Sequence, residues 1–126
     1  MNAVSHFEEV DYFTRAEDVV NTVCQVIPEI TESVADLPAL LVKIRNDRAH
    51  HLPNETKESL ETRALQWLVI AAVTPWLLRG LLLLHAGVDP ELLHDRYVNH
   101  QRFSFFRANT AKHVRELGWE PPTGPT

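Results

Sequence analysis

The sequence predicts an all-α protein, a bundle of four to five helices. Apolar residues recur at intervals of three and four along most of the chain. Helix-start signals stand at Thr14-Arg15-Ala16-Glu17, Ser33-Val34-Ala35-Asp36 and Asp89-Pro90-Glu91. Only four glycines occur in 126 residues, too few for the tight turns of a many-stranded sheet.

The first helix is expected from near Thr14, with Val19, Val23, Val26, Ile27 and Ile30 at helical spacing and Pro28 kinking or ending it. Its β-branched run also suits a strand, but no nearby segment offers a hairpin partner. The Ser33–Asp36 capping box opens a second helix, striped by Leu37, Leu40, Leu41 and Ile44, which runs toward His51 and must stop before or at Pro53. Asn54 or Thr56 caps the third, which carries Leu60 and the apolar run to about Ala86 and ends at Gly87. Asp89 and Pro90 read as N-cap and first helical residue of the next. The last helical stretch carries Leu92, Leu93, Tyr97, Phe103, Phe106 and Val114, with a break near Ser104. One domain is expected over residues 1–118. A Pro-rich disordered tail follows over 119–126, where Trp119 is the residue able to pin it.

The run Ala64–Ala86 is apolar except for Gln66, Thr74, Arg79 and His85. An Arg near the middle of a membrane span costs roughly 2.5–3.5 kcal/mol, so a core helix is the preferred reading and no membrane partner is expected. The acidic N-terminus lacks the apolar segment of a signal peptide, and a cytoplasmic location follows. The single Cys24 excludes an intrachain disulfide and a multi-thiolate zinc site, fits a reducing compartment, and belongs to an apolar helix face. His85, His94 and His100 are spaced nine and six apart, which puts no two on one helical turn, so no metal and no cofactor is expected.

A net charge of −5 argues against a uniformly basic nucleic-acid binder, but the total hides a polarity. Residues 1–36 hold eight acids against Arg15, a net −7, while residues 94–115 hold five cations against Asp95, a net +4. In the last helix Arg96, Arg102 and Arg107 lie among Tyr97, Phe103, Phe105 and Phe106. Cations interleaved with aromatics suit a strand of RNA. The plainer reading makes the aromatics core and the cations a solvated face, or a patch that receives the acidic N-terminal segment.

The most chemically loaded stretch is Lys43 to His51, with three cations, one acid and two histidines. Such a cluster also suits an ordinary helix C-terminus, where cations favour the dipole. The functional reading is phosphate chemistry. Arg45 offers a permanent bidentate fork, and His50 or His51 offers a side chain that exchanges protons near neutrality. Four Arg–His pairs fall at the spacing of such a motif: Arg45 with His50 or His51, Arg79 with His85, and Arg107 with His113. Only Arg45 is followed by Asn.

Arg45-Asn46-Asp47-Arg48-Ala49-His50 resembles the R-x4–6-H signature of HEPN domains. The order of a capped Leu-striped helix, Arg-Asn, a Pro-containing break and a long apolar helix ending Leu81-Leu82-Leu83-Leu84-His85-Ala86-Gly87-Val88 is similar to Apea-like HEPN domains over about residues 33–90. The resemblance implies a HEPN-type bundle, a homodimer whose two motifs line one cleft, and metal-independent RNA cleavage. Arg45 would hold the scissile phosphate, Asn46 would orient it or brace the neighbouring motif, and His50, with His51 as its rival, would transfer the proton. Apart from the resemblance, Arg96, Arg102 and Arg107 are candidate phosphate contacts, and Arg48 either joins them or pairs with Asp47 or Glu55. The implied setting is antiviral defence or a toxin–antitoxin pair, with an antitoxin or regulatory protein as partner. On a regular helix His50 lies about 140° and His51 about 240° around from Arg45, so the groups meet across a dimer or the helix loosens near Ala49. The alternatives are a non-catalytic helical module that binds RNA or a partner protein, and an unrelated helical adaptor.

Overall fold

A computed structural model describes the backbone of residues 2–49 and 60–121 and the side chains of residues 12–46 and 60–121. The fold is all-α, with five α-helices and no strand among the described residues. They are α1 (Asn2–Cys24), α2 (Leu37–Ala49), α3 (Leu60–His85), α4 (Pro90–Val98) and α5 (Gln101–Leu117), with a 3₁₀ turn at Pro28–Ile30 between α1 and α2.

α1 starts well before Thr14, which is an exposed residue inside the helix and caps nothing. No Gly or Pro interrupts the chain from Asn2 to Cys24, and a capping box does not itself begin a helix where the preceding residues can continue it. Pro28 opens the 3₁₀ turn. α2 begins at Leu37, later than Ser33, and Pro38 is the reason. A proline is accommodated in a first turn, but in a helix begun at Ser33 its ring would clash with the carbonyl of Val34. Asp36 takes over the cap at φ 49°, a left-handed conformation that Asp tolerates better than most residues. Its Oδ1 accepts from the Ala39 N–H at 3.3 Å.

The junction after α3 forms as the local signals demand. Gly87 takes φ 90°, the Val88 N–H donates to the Leu83 carbonyl at 3.0 Å and the Gly87 N–H to the Leu84 carbonyl at 3.1 Å, closing a Schellman motif. The Asp89 carboxylate then accepts from the Leu92 N–H at 3.1 Å and caps α4. The next break falls at Asn99–His100, ahead of the expected Ser104. Asn99 folds its side-chain amide back onto the Asp95 carbonyl at 2.9 Å, and the His100 Nδ1 accepts from the Arg102 N–H at 3.1 Å as the cap of α5. Turning there places Tyr97 on α4 and Phe103 and Phe106 on α5 around Trp76 of α3, with ring centroids 5.5, 5.0 and 5.8 Å away. These three rings are core, with Phe103 fully buried, while Phe105 is exposed.

α3 packs against α1 on one side and α5 on the other, and α1 also packs on α2. Its buried stripe is Gln66, Val69, Val73, Leu77 and Gly80. The core-helix expectation holds for that stripe and for the half-buried Ile70, Ala72, Trp76, Leu81, Leu83 and Leu84 packed beside it. Leu60, Trp67, Leu68, Leu78 and Leu82 are exposed, Leu82 to 71 %. By length and composition α3 is able to cross a membrane: its most apolar 18-residue window has mean hydropathy 1.9 and is 22 % buried.

Gly80 is where α3 meets two neighbours at once. A Cβ there would stand 2.9 Å from Val23 Cγ1 of α1 and 3.3 Å from the Tyr97 hydroxyl. That hydroxyl is fixed, because it donates to the Trp76 carbonyl at 2.8 Å. Gly80→Ala therefore lowers stability by about 1–3 kcal/mol, although alanine is the better helix former, and urea unfolding followed by circular dichroism measures it.

Candidate functional site

Arg45 sits near the end of α2, which is helical through Ala49. Its guanidinium carbon lies 4.5 Å from the centroid of the Tyr12 ring of α1, within cation–π range. Arg45 also lines a cavity of about 310 Å³ with Tyr12, Leu41, Ile44, Trp67 and Ile70. Arg45 thus stacks on an aromatic ring from α1, in a recess that Trp67 of α3 also lines. A guanidinium is a group able to hold a phosphate. Asn46 follows Arg45 on α2 and is half-buried. The Arg48 side chain, His50 and His51 lie outside the described residues, so the Arg–His geometry is not part of the described structure.

The basic C-terminal stretch divides into cations that are bound and cations that are not. The Arg107 Nε donates to Glu32 Oε1 at 2.6 Å, and His94 Nε2 lies 2.8 Å from Glu29 Oε2. Two acids of the N-terminal third are therefore held by α4 and α5 of the same chain, as the charge polarity suggested. Arg96 and Arg102 are exposed and carry no carboxylate partner among the described residues. Trp119, the first residue of the expected tail, donates its indole N–H to the Ala35 carbonyl at 2.6 Å, while residues 122–126 lie outside the described ones. His94 and His100 have structural partners, and no group of three or more His, Cys, Asp or Glu able to hold a metal occurs among the described residues. Cys24 is partly buried and accepts from the Thr31 hydroxyl at 3.3 Å. Burial pushes its thiol pKa up, so it stays protonated and a poor nucleophile.

Tyr12 and Trp67 are the site residues that the sequence reading missed. Tyr12 carries no local signal, and Trp67 reads as one more apolar residue of a long helix. No family model, curated protein or solved structure matches this chain.

Burial alone would raise the Glu29 pKa, but the hydrogen bond with His94, a bond to its own backbone, and the His94 and Arg107 charges outweigh it and hold the carboxyl below its usual range. A depressed carboxylate pKa means that the folded state favours the ionised form. The resulting stability is present above the unfolded-state value of about 4.3 and is lost as pH falls through the lower folded-state value. Glu29→Gln accordingly costs about 1 kcal/mol at neutral pH, and the difference from the parent protein closes on acidification, as urea titrations at a series of pH values record.

Proposed function

We propose that this chain is a metal-independent endoribonuclease of HEPN type, acting as a homodimer in which two Arg45 motifs share one cleft. The observation that carries the reading is the Arg45 recess: a guanidinium over the Tyr12 ring, with Trp67 alongside, directly before the segment that holds Arg48, His50 and His51. In the proposed reaction the ribose 2′-oxygen forms a bond to the adjacent phosphorus while the bond from phosphorus to the 5′-oxygen breaks. His50 or His51 takes the 2′-hydroxyl proton, and the histidine of the second motif gives one to the departing 5′-oxygen. Arg45 balances the charge that gathers on the phosphoryl oxygens, and Asn46 orients them. The products are a 2′,3′-cyclic phosphate and a 5′-hydroxyl end. Arg48 and Arg102 add phosphate affinity, whereas Arg107 is engaged by Glu32.

The dimer draws support from α3. Leu60, Trp67 and Leu68 are exposed on α3, Trp67 at the wall of the Arg45 recess, and a second copy laid on them would bring the two recesses toward each other. With Leu78 and Leu82 these side chains form an apolar face at the upper end of what a monomer leaves uncovered, on the order of 500 Å². The resemblance of the motif supports a place in antiviral defence or as the toxin of a toxin–antitoxin pair, inside the cell and restrained by a partner protein.

Purified protein should cut single-stranded RNA with EDTA present and leave 2′,3′-cyclic phosphate ends. Arg45→Ala and His50→Ala should each lower the rate by about 100-fold or more, with His51→Ala distinguishing which histidine carries the proton. Loss of cutting on chelation, or full activity in both the Arg45 and His50 variants, would remove the assignment. A folded dimer that cuts no RNA would leave a binding module. Leu68→Glu should convert the dimer to a monomer in analytical ultracentrifugation and abolish cutting with it.

A further inference from the structure

A second cavity, also of about 310 Å³, lies between α3 and α4 on the part of α3 beyond Pro75. Trp76, Leu83, Val88, Leu93 and Tyr97 give it apolar walls. The Arg79 and Arg96 side chains line it too, and both residues are solvent-exposed. Neither guanidinium has a carboxylate partner among the described residues, and no acidic side chain lines the cavity. The acids nearest to Arg96 in sequence do not line the cavity. Asp95 accepts from the Asn99 amide at 3.0 Å, and Glu91 lines a separate groove with Gln25 and His94. Arg79 lies 5.1 Å from the centroid of the Trp76 ring, a contact that holds the guanidinium in place and leaves its N–H edge available. Of the polar atoms in the walls, the Tyr97 hydroxyl donates to the Trp76 carbonyl and the His100 Nδ1 accepts from the Arg102 N–H.

We infer that this cavity binds a small carboxylate with an apolar body, its head group held between Arg79 and Arg96 and its body against Trp76 and Tyr97. Two unneutralised guanidiniums beside an apolar recess, in a chain of net charge −5, set a strong preference for an anion. The space is too small for a whole nucleotide, which favours an aliphatic or aryl carboxylate. At about 30 Å³ per heavy atom, the share of a molecule in liquid water, the cavity holds about ten, the size of octanoate.

Isothermal titration calorimetry with octanoate at millimolar concentration tests this on the full chain, with octylammonium and AMP as comparison ligands. Octanoate should bind saturably at one site per chain, and octylammonium should not. Arg79→Gln and Arg96→Gln should each weaken octanoate about fivefold or more while the chain stays folded by circular dichroism. Leu92→Trp, which enlarges a half-exposed residue on the cavity wall, should abolish binding by filling the space. The inference is overturned by no saturable octanoate binding, by binding that neither arginine variant nor Leu92→Trp alters, or by AMP binding at this site in preference to octanoate. None of these outcomes bears on RNA cleavage at Arg45, so the two readings stand or fall separately.

Discussion

At Gly80 three helices come together where a single methyl group would not fit. The helix that runs through the middle of the fold touches α1 through Val23 and α4 through Tyr97 at the same residue. Close approach on both sides lets the Tyr97 hydroxyl reach the Trp76 carbonyl one turn earlier, and that bond sets the position of α4. From Tyr97 the rings of Phe103 and Phe106 continue around Trp76, which fixes α5. The walls of the α3–α4 cavity, and the place of Arg79 on Trp76, follow from the same contact.

The net charge has a different meaning once the partners are known. The −7 of the first 36 residues includes Glu29 and Glu32, which are held by His94 and Arg107. Two acids of this segment are thus held by side chains of α4 and α5, and three other arginines line recesses. Arg79 and Arg96 stand at the α3–α4 cavity, and Arg45 at the recess shared with Tyr12 and Trp67. An acidic chain with some of its arginines placed in recesses repels polyanions in general and still attracts an anionic group at a fixed position.

What could be read in the sequence divides along the range of the forces involved. The α3–α4 junction was legible because Gly87, Asp89 and Pro90 act through their own backbone and its nearest turn. The start of α2 was legible to within a few residues, and Pro38 moved it. The break between α4 and α5 was misplaced because the rings that must surround Trp76 decide it, and that requirement spans two elements. Hydropathy identified α3 as apolar but carries no information on which of its faces a neighbour covers, so its exposed leucines were not foreseen. Arg45 stood out through its neighbours in the chain. Tyr12, which stacks on it, lies on another helix far away in sequence, and no local pattern connects the two.

The segment between α1 and α2 has one more consequence. Glu29, Glu32 and Ala35 are spaced three apart, and they receive His94, Arg107 and Trp119 in the same order. These three tethers join residues separated by 65, 75 and 84 positions, so each closes a loop of more than half the chain. Helices form within about a microsecond, whereas contacts of this span wait for the whole chain to assemble. The short 28–36 connector is therefore the seam to which α4, α5 and the residue just after α5 are fastened.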